Sequence, residues 1–164
     1  AGIPWVRVET EGVPEVEIGD LENALSTLEI DGIVSGALRS DYQKSRIERM
    51  AERLGIVSWT PLWHQNSLEH MQGLVKNGFR IFITGVSCEG LDNSWIGHTL
   101  TPESLVQLEQ LSKKYRFNVD GEGGEYETLV VGGPHLPGHL ELYGEVDWDG
   151  VRGVFEISSV QAIA

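Results

Sequence analysis

Apolar residues alternate with polar ones over residues 4–8, recur at helical spacing at Leu21, Ala24, Leu25 and Leu28, and run together over residues 32–38. The alternation, rich in β-formers, predicts a strand. The periodic set predicts a helix that Asp20 caps, after a loop at 10–19 carrying Gly12, Pro14 and Gly19. The apolar run suits a buried parallel strand. Ser40 then caps a helix whose apolar face is Ile47, Met50, Ala51 and Leu54, with Gly55 as its stop. Strand, helix, strand, helix is the order of a parallel sheet covered by helices, with 4–8 and 32–38 as neighbouring strands. Residues 58–63 form a short strand or extended turn containing Pro61.

Further on, Ser67 is positioned to cap a helix ending at Lys76 and Gly78, and residues 79–86 form a second apolar strand. Thr101, Pro102 and Ser104 open a helix that buries Leu105, Leu108 and Leu111. After Val119 the texture changes. A glycine-acid loop at 121–124 leads into three strands, 128–131, 139–146 and 151–160, the last two joined at Trp148-Asp149-Gly150.

Composition narrows the class. Of the 164 residues, 40% are hydrophobic and 23% charged, which fits a folded globular chain. The longest apolar runs, such as Ile81-Phe82-Ile83, fall far short of a membrane span, and no signal peptide is visible. The net charge of −13 repels phosphate backbones, so nucleic acid is not an expected partner. The one basic concentration, Arg39, Lys44, Arg46, Arg49 and Arg53, falls mostly on one predicted helix. A lone Cys88 excludes an internal disulfide, fits a reducing compartment, and is expected to be a passive thiol. The five histidines show no zinc spacing. Trp63 and Trp95 lie in loop-like stretches where an aromatic wall for a ligand is plausible.

Two segments carry candidate chemistry. GALRSDYQKSR (36–46) joins a strand to a helix, where ligands of open α/β sheets bind and helix N-termini attract anions. Gly36 lets a ligand approach the backbone, and Arg46, on one helix face with Tyr42, can fork onto a phosphate or carboxylate. The plainer reading is an ordinary turn before a solvated basic helix. EGGEYET (122–128) packs three carboxylates beside a double glycine. They call for a neutralising cation or donors, and can serve to deprotonate an attacking amine. The plainer reading is an exposed acidic turn. If the chain is extended after Gly124, Glu125 and Glu127 share a face and Tyr126 points into the core, leaving Glu122 to brace the turn.

In order along the chain, GIVSGALRSDYQKSRIERMAERLG, TGVSCEGLDNSWIGHTL and above all GEGGEYETLV resemble segments of the diphthine–ammonia ligase family. The likeness runs from Gly2 to Val131, and the final β segment is similar more loosely. It implies an α/β fold: a partial Rossmann-like adenine-nucleotide α-hydrolase domain over residues 1–60 and a smaller C-terminal α+β domain over 61–164. The implied activity is that of a PP-loop-type ATP pyrophosphatase. ATP, with Mg²⁺ accompanying it, adenylates the carboxylate of diphthine on a translation elongation factor, and ammonia displaces AMP to leave diphthamide. The elongation factor and ammonium are the implied partners, a homodimer is compatible, and the implied setting is cytoplasmic. By motif match, Ser35, Gly36, Tyr42, Gln43 and Arg46 would bind nucleotide. Asp92, Trp95, Glu122, Gly123, Gly124 and Thr128 would bind substrate, with Glu125 and Glu127 catalytic. The family's Ser-Gly-Gly-Lys-Asp-Ser-type phosphate loop has no counterpart in these residues, so the chain is expected to be part of a longer protein. The alternative is a non-catalytic binding module or a truncated paralogue without ATP cleavage. A related pyrophosphatase acting on tRNA is disfavoured by the negative charge.

Overall fold

Hydrogen-bonding capacity decides which of the predicted strands form. In the computed structural model, which describes residues 2–13 and 16–164, residues 2–13 enter no ladder, and Ile3, Trp5 and Val6 are exposed. The expected strand at 4–8 therefore does not form, because alternation supplies a face but not a partner for the backbone. The parallel pair instead joins β1 (Gly32–Val34) to β2 (Val57–Trp59), with Ile33 opposite Ser58. The expected strand over 32–38 is shortened to these three residues. Nor is it buried: Ile33 and Ser58 are half-covered, whereas Val34, Val57 and Trp59 are exposed.

Helix α1 (Val16–Leu25) begins earlier than expected. Val13 O accepts from Val16 N and Glu17 N at 3.1 and 3.2 Å, so Asp20 lies inside the helix and is not its cap. Pro14, part of the expected loop, lies outside the described residues. Helix α2 (Asp41–Leu54) matches expectation at both ends. Ser40 Oγ accepts from Gln43 N, and Gly55 closes the helix in the left-handed region. Its apolar side buries Met50 and Ala51. Its basic side is not simply solvated: Arg46 pairs with Glu17 and Arg53 with Glu22, which ties α2 to α1.

Residues 66–164 make a second unit; the first comprises 2–65. Helix α3 (Ser67–Lys76) is capped by Asn66, whose Oδ1 accepts from Glu69 N at 3.1 Å; the expected cap, Ser67, is the first helical residue. Helix α4 (Pro102–Tyr115) carries a capping box in which Thr101 and Ser104 each accept from the other's backbone N–H. Strands β3 (Arg80–Val86), β4 (Tyr126–Gly132), β5 (His139–Trp148) and β6 (Gly153–Ile163) close into a barrel in that order, antiparallel throughout. One edge of β3 pairs with β4. Along its other edge, backbone from 97–100 bonds to Ile81 and Ile83, and β6 pairs with Gly85 and Val86. The core gathers Ile81, Ile83 and Val86 with Leu105, Leu108 and Tyr126. The fold is thus α/β with parallel strands in the first unit and α+β in the second. Among the described residues, no helix is long and apolar enough to cross a membrane.

Candidate functional site

Within residues 2–65, the carboxyl end of β1 and the first turns of α2 enclose an open cavity of about 330 Å³. Ser35, Gly36, Gln43 and Arg46 line it, so four of the five nucleotide-side candidates meet there. A Cβ at Gly36 would touch nothing within 4 Å, leaving the backbone open to a ligand. Ser35 Oγ accepts from Ala37 N at 3.2 Å and shapes the turn. Tyr42 does not line the cavity; its ring packs under the Arg46 guanidinium at 4.7 Å. Arg46 itself is only 10% exposed and is held by Glu17 Oε1 at 3.2 Å. Its charge is already shared with a carboxylate, which suits anchoring of the cavity wall better than capture of a polyphosphate. The sequence pattern does not reveal Glu17, because residues 10–19, with Gly12, Pro14 and Gly19, read as a loop.

Within residues 66–164, the acidic segment is an ordered turn. Gly124 N donates to Gly121 O, and Ser87 Oγ donates to Gly124 O. Glu125, expected to be catalytic, braces this turn. Its Oε1 accepts from Asn118 N and Nδ2 at 2.8 and 2.9 Å, and its Oε2 accepts from Gly123 N at 2.7 Å. Gly123 must be glycine for this grip, because a Cβ there would lie 2.7 Å from Glu125 Oε1. Glu122 is half-buried in the same turn. Glu127, one step into β4, is exposed and lines a small cavity with Ser87 and Arg152. The two carboxylates thus part company: Glu125 has its oxygens committed to N–H donors, and Glu127 presents its own to solvent.

Tyr126 lies between them, 3% exposed, and donates to Val119 O at 2.6 Å, as the alternation required. Burial, reinforced by the charges of Asp120 and Glu125, keeps its phenol protonated far above the ordinary value. A folded-state shift upward gives stability that is complete below the unfolded value of about 10 and is lost as pH rises past it. Alkaline titration followed by circular dichroism should show that loss. Tyr126→Phe should flatten it above pH 10 while costing about 1 kcal/mol at neutral pH for the missing hydrogen bond. An unchanged alkaline limb in the variant would remove Tyr126 as the titrating group.

The remaining candidates belong to other elements of the second unit. Asp92 caps the short 3-10 turn Asn93–Trp95 by accepting from Ser94 N and Oγ, and these bonds hold its carboxyl below the usual range. Trp95 is 9% exposed and belongs to the core, touching only a small polar cavity with Ser94, His98, Ser104 and Gln107. Thr128 is exposed on β4 opposite Ile83. Cys88 is partly buried, and burial together with the Glu125 charge raises its thiol, as suits a passive residue. Among the described residues, no cluster of three or more His, Cys, Asp or Glu could hold a metal.

Two family models match in chain order: the diphthamide synthase N-terminal domain over residues 1–58 and the diphthamide synthase C-terminal domain over residues 66–163. Among curated proteins, diphthine–ammonia ligase of Mus musculus is 37% identical over 123 residues, covering 72% of this chain and 46% of that protein. The Homo sapiens protein of that name is 36% identical with the same coverage. The Saccharomyces cerevisiae one is 31% identical over 158 residues, covering 84% of this chain and 23% of its own length. The chain therefore spans about half the length of its mammalian relatives.

Proposed function

Since the chain belongs to the diphthamide synthase family, we propose that it forms part of an ATP-dependent ligase in diphthamide biosynthesis. In this reading the carboxylate of diphthine, borne by a translation elongation factor, is adenylated and then attacked by ammonia to give the amide. The observation that supports it best is the division of labour in the acidic turn. Glu125 fixes the loop, which leaves Glu127 as an exposed carboxylate on a rigid strand. A carboxylate so placed can hold ammonium and take a proton from it as the amine attacks.

The cavity at Ser35, Gly36 and Gln43 fits the nucleoside part of ATP, since it offers an open glycine, a hydroxyl and an amide. The sequence contains no Ser-Gly-Gly-Lys-Asp-Ser-type loop for the phosphates; Mg²⁺ would accompany those phosphates. The direct experiment uses the full-length protein with ATP, ammonium and diphthine-bearing elongation factor. Release of AMP and pyrophosphate together with an acid-to-amide mass change is expected. Neither product forming would favour a non-catalytic module.

Arg46 gives a separate test. Arg46→Ala should weaken AMP binding by about 1–3 kcal/mol in calorimetry, the range for losing a charged hydrogen-bonding group. Glu17→Gln distinguishes how. If Arg46 acts by anchoring the wall, Glu17→Gln weakens AMP as well; if Arg46 contacts the ligand, freeing its charge strengthens binding. Unchanged affinity in Arg46→Ala would remove Arg46 from the site.

A further inference from the structure

Strands β5 and β6 pair along their whole length, and the pairing sorts their side chains into two faces. Residues directly opposite one another on paired strands share a face. Leu140 with Ala162, Leu142 with Val160 and Val146 with Phe155 make one face apolar. Glu141 with Gln161, Glu145 with Glu156 and Asp147 with Val154 make the other face largely polar and acidic. The apolar face meets the core near the β5–β6 turn, where Trp148 and Phe155 pack against it. Along the rest of that face, Leu140, Val146, Ile157 and Val160 stay between 37% and 54% exposed.

Backbone is left open beside this face. Strand β4 meets β5 at the pair Gly132 and His139, and the two strands then part. Among the described residues, 140–147 therefore present an edge of N–H and C=O groups with no ladder partner on that side. The edge is regular. Tyr143 faces Ser159 and Gly144 faces Ile157, so the extra residue, Ser158, puts the bulge on β6 and not on β5. Where β4 and β5 part lies an apolar cavity of about 510 Å³, lined by Val130, Leu136, Leu140 and Ile163 among others.

Charge selects the occupant. Glu145 and Glu156 stand directly opposite each other, and Glu141 and Asp147 extend the same row. Like charges so placed repel. Among the described residues, no Lys or Arg pairs with Glu145, Asp147 or Glu156. A second copy pairing its β5 with this one would set carboxylates beside carboxylates, whereas lysine or arginine would relieve them. We propose that the outer edge of β5 receives an extended segment of another protein whose residues alternate between apolar and basic. The backbone of that segment bonds to the open edge, which supplies affinity, and its side chains supply selectivity. Its apolar residues lie beside Leu140, Leu142 and Val146, and its basic residues beside Glu141, Glu145 and Asp147. A large apolar side chain at its end enters the cavity at Leu136. The docking uses neither the acidic turn nor the cavity of the first unit, so it stands apart from the ligase reading.

The test uses the 164-residue chain and nitrogen-15 NMR titration with end-blocked peptides. Lys-Val-Lys-Leu-Lys-Val-Lys carries both features; a second peptide has Glu for every Lys, and a third has Ser for every apolar residue. The first should shift the amides of 140–147 and slow their hydrogen exchange. It should bind about tenfold or more tighter than either of the others, since opposite charges and apolar pairs across strands gain where like charges lose. Glu145→Lys should shrink its advantage over the acidic peptide, and Val146→Ser should weaken it directly. Both positions are exposed, so circular dichroism should show an unchanged fold. The proposal is overturned if the acidic or the serine peptide binds as tightly as the first, if the shifts map away from β5, or if Glu145→Lys leaves the preference intact. Self-association of the chain through β5 in sedimentation without peptide would also overturn it, because the edge would then belong to a second copy.

Discussion

Glu127→Gln is expected to slow amide formation by the full-length protein about a hundredfold or more, the range for losing a positioned acid–base group, without lowering its thermal stability. The side chain is exposed on β4, and glutamine keeps its shape, so the fold has little reason to respond. The counterpart, Glu125→Gln, should behave in the opposite way. Its carboxylate accepts from Asn118 and Gly123. A glutamine there turns an N–H group toward at least one N–H donor. The turn should lose about 1–3 kcal/mol, visible as a lower Tm, with activity falling in step with folding. Measuring rate and Tm for both variants separates a chemical carboxylate from a bracing one. A normal rate in Glu127→Gln would leave that residue no chemical role.

The largest effect on stability is expected at Leu108→Ala. Leu108 is 0% exposed and lies in the cluster with Ile83, Leu105 and Tyr126. Truncation removes buried apolar surface and leaves a cavity that close-packed neighbours refill only in part, at a cost of about 2–5 kcal/mol. For a unit of this size that lowers Tm by about ten degrees or more. Val106→Ala, two residues away and 53% exposed, is the control; it should stay within about 0.5 kcal/mol of the parent. Equal melting temperatures for the two variants would contradict the packing described for α4.

The sequence was most legible where a signal is local. Ser40 and Gly55 bound α2, and Thr101, Pro102 and Ser104 open α4, because capping is settled within a turn of chain. Alternation also placed Tyr126 in the core correctly. Pairing was less legible. Residues 4–8 have a strand's pattern and no partner strand, and 32–34 pairs with 57–59 instead. The apolar run ending at Val86 announced burial but could not announce its antiparallel neighbours, since uninterrupted hydrophobicity carries no direction. Composition located the acidic turn but could not assign Glu125 to bracing it. That choice depends on where Asn118 and Gly123 point their N–H groups. Glu17 and Arg152 carry no local signal for a similar reason. Glu17 meets the cavity of the first unit, and Arg152 the small cavity of the second, each from an element outside any recognisable motif.

The shared second edge of β3 has a consequence for synthesis. Gly85 and Val86 find their β6 neighbours in Val154 and Gly153, and β4 itself begins only at Tyr126. A ribosome that has just released β3 therefore holds a strand with Ile81, Ile83 and Val86 ready and no strand to accept it. Helices α3 and α4 can form as they emerge, but β3 must wait for β4 to cover one edge and for β6, at the end of the unit, to cover the other at Gly85 and Val86. During that interval its edge is open to any other nascent strand. The chain's vulnerable moment in the cell is thus the translation of its last third, and slowing elongation there should raise aggregation more than slowing it over α2.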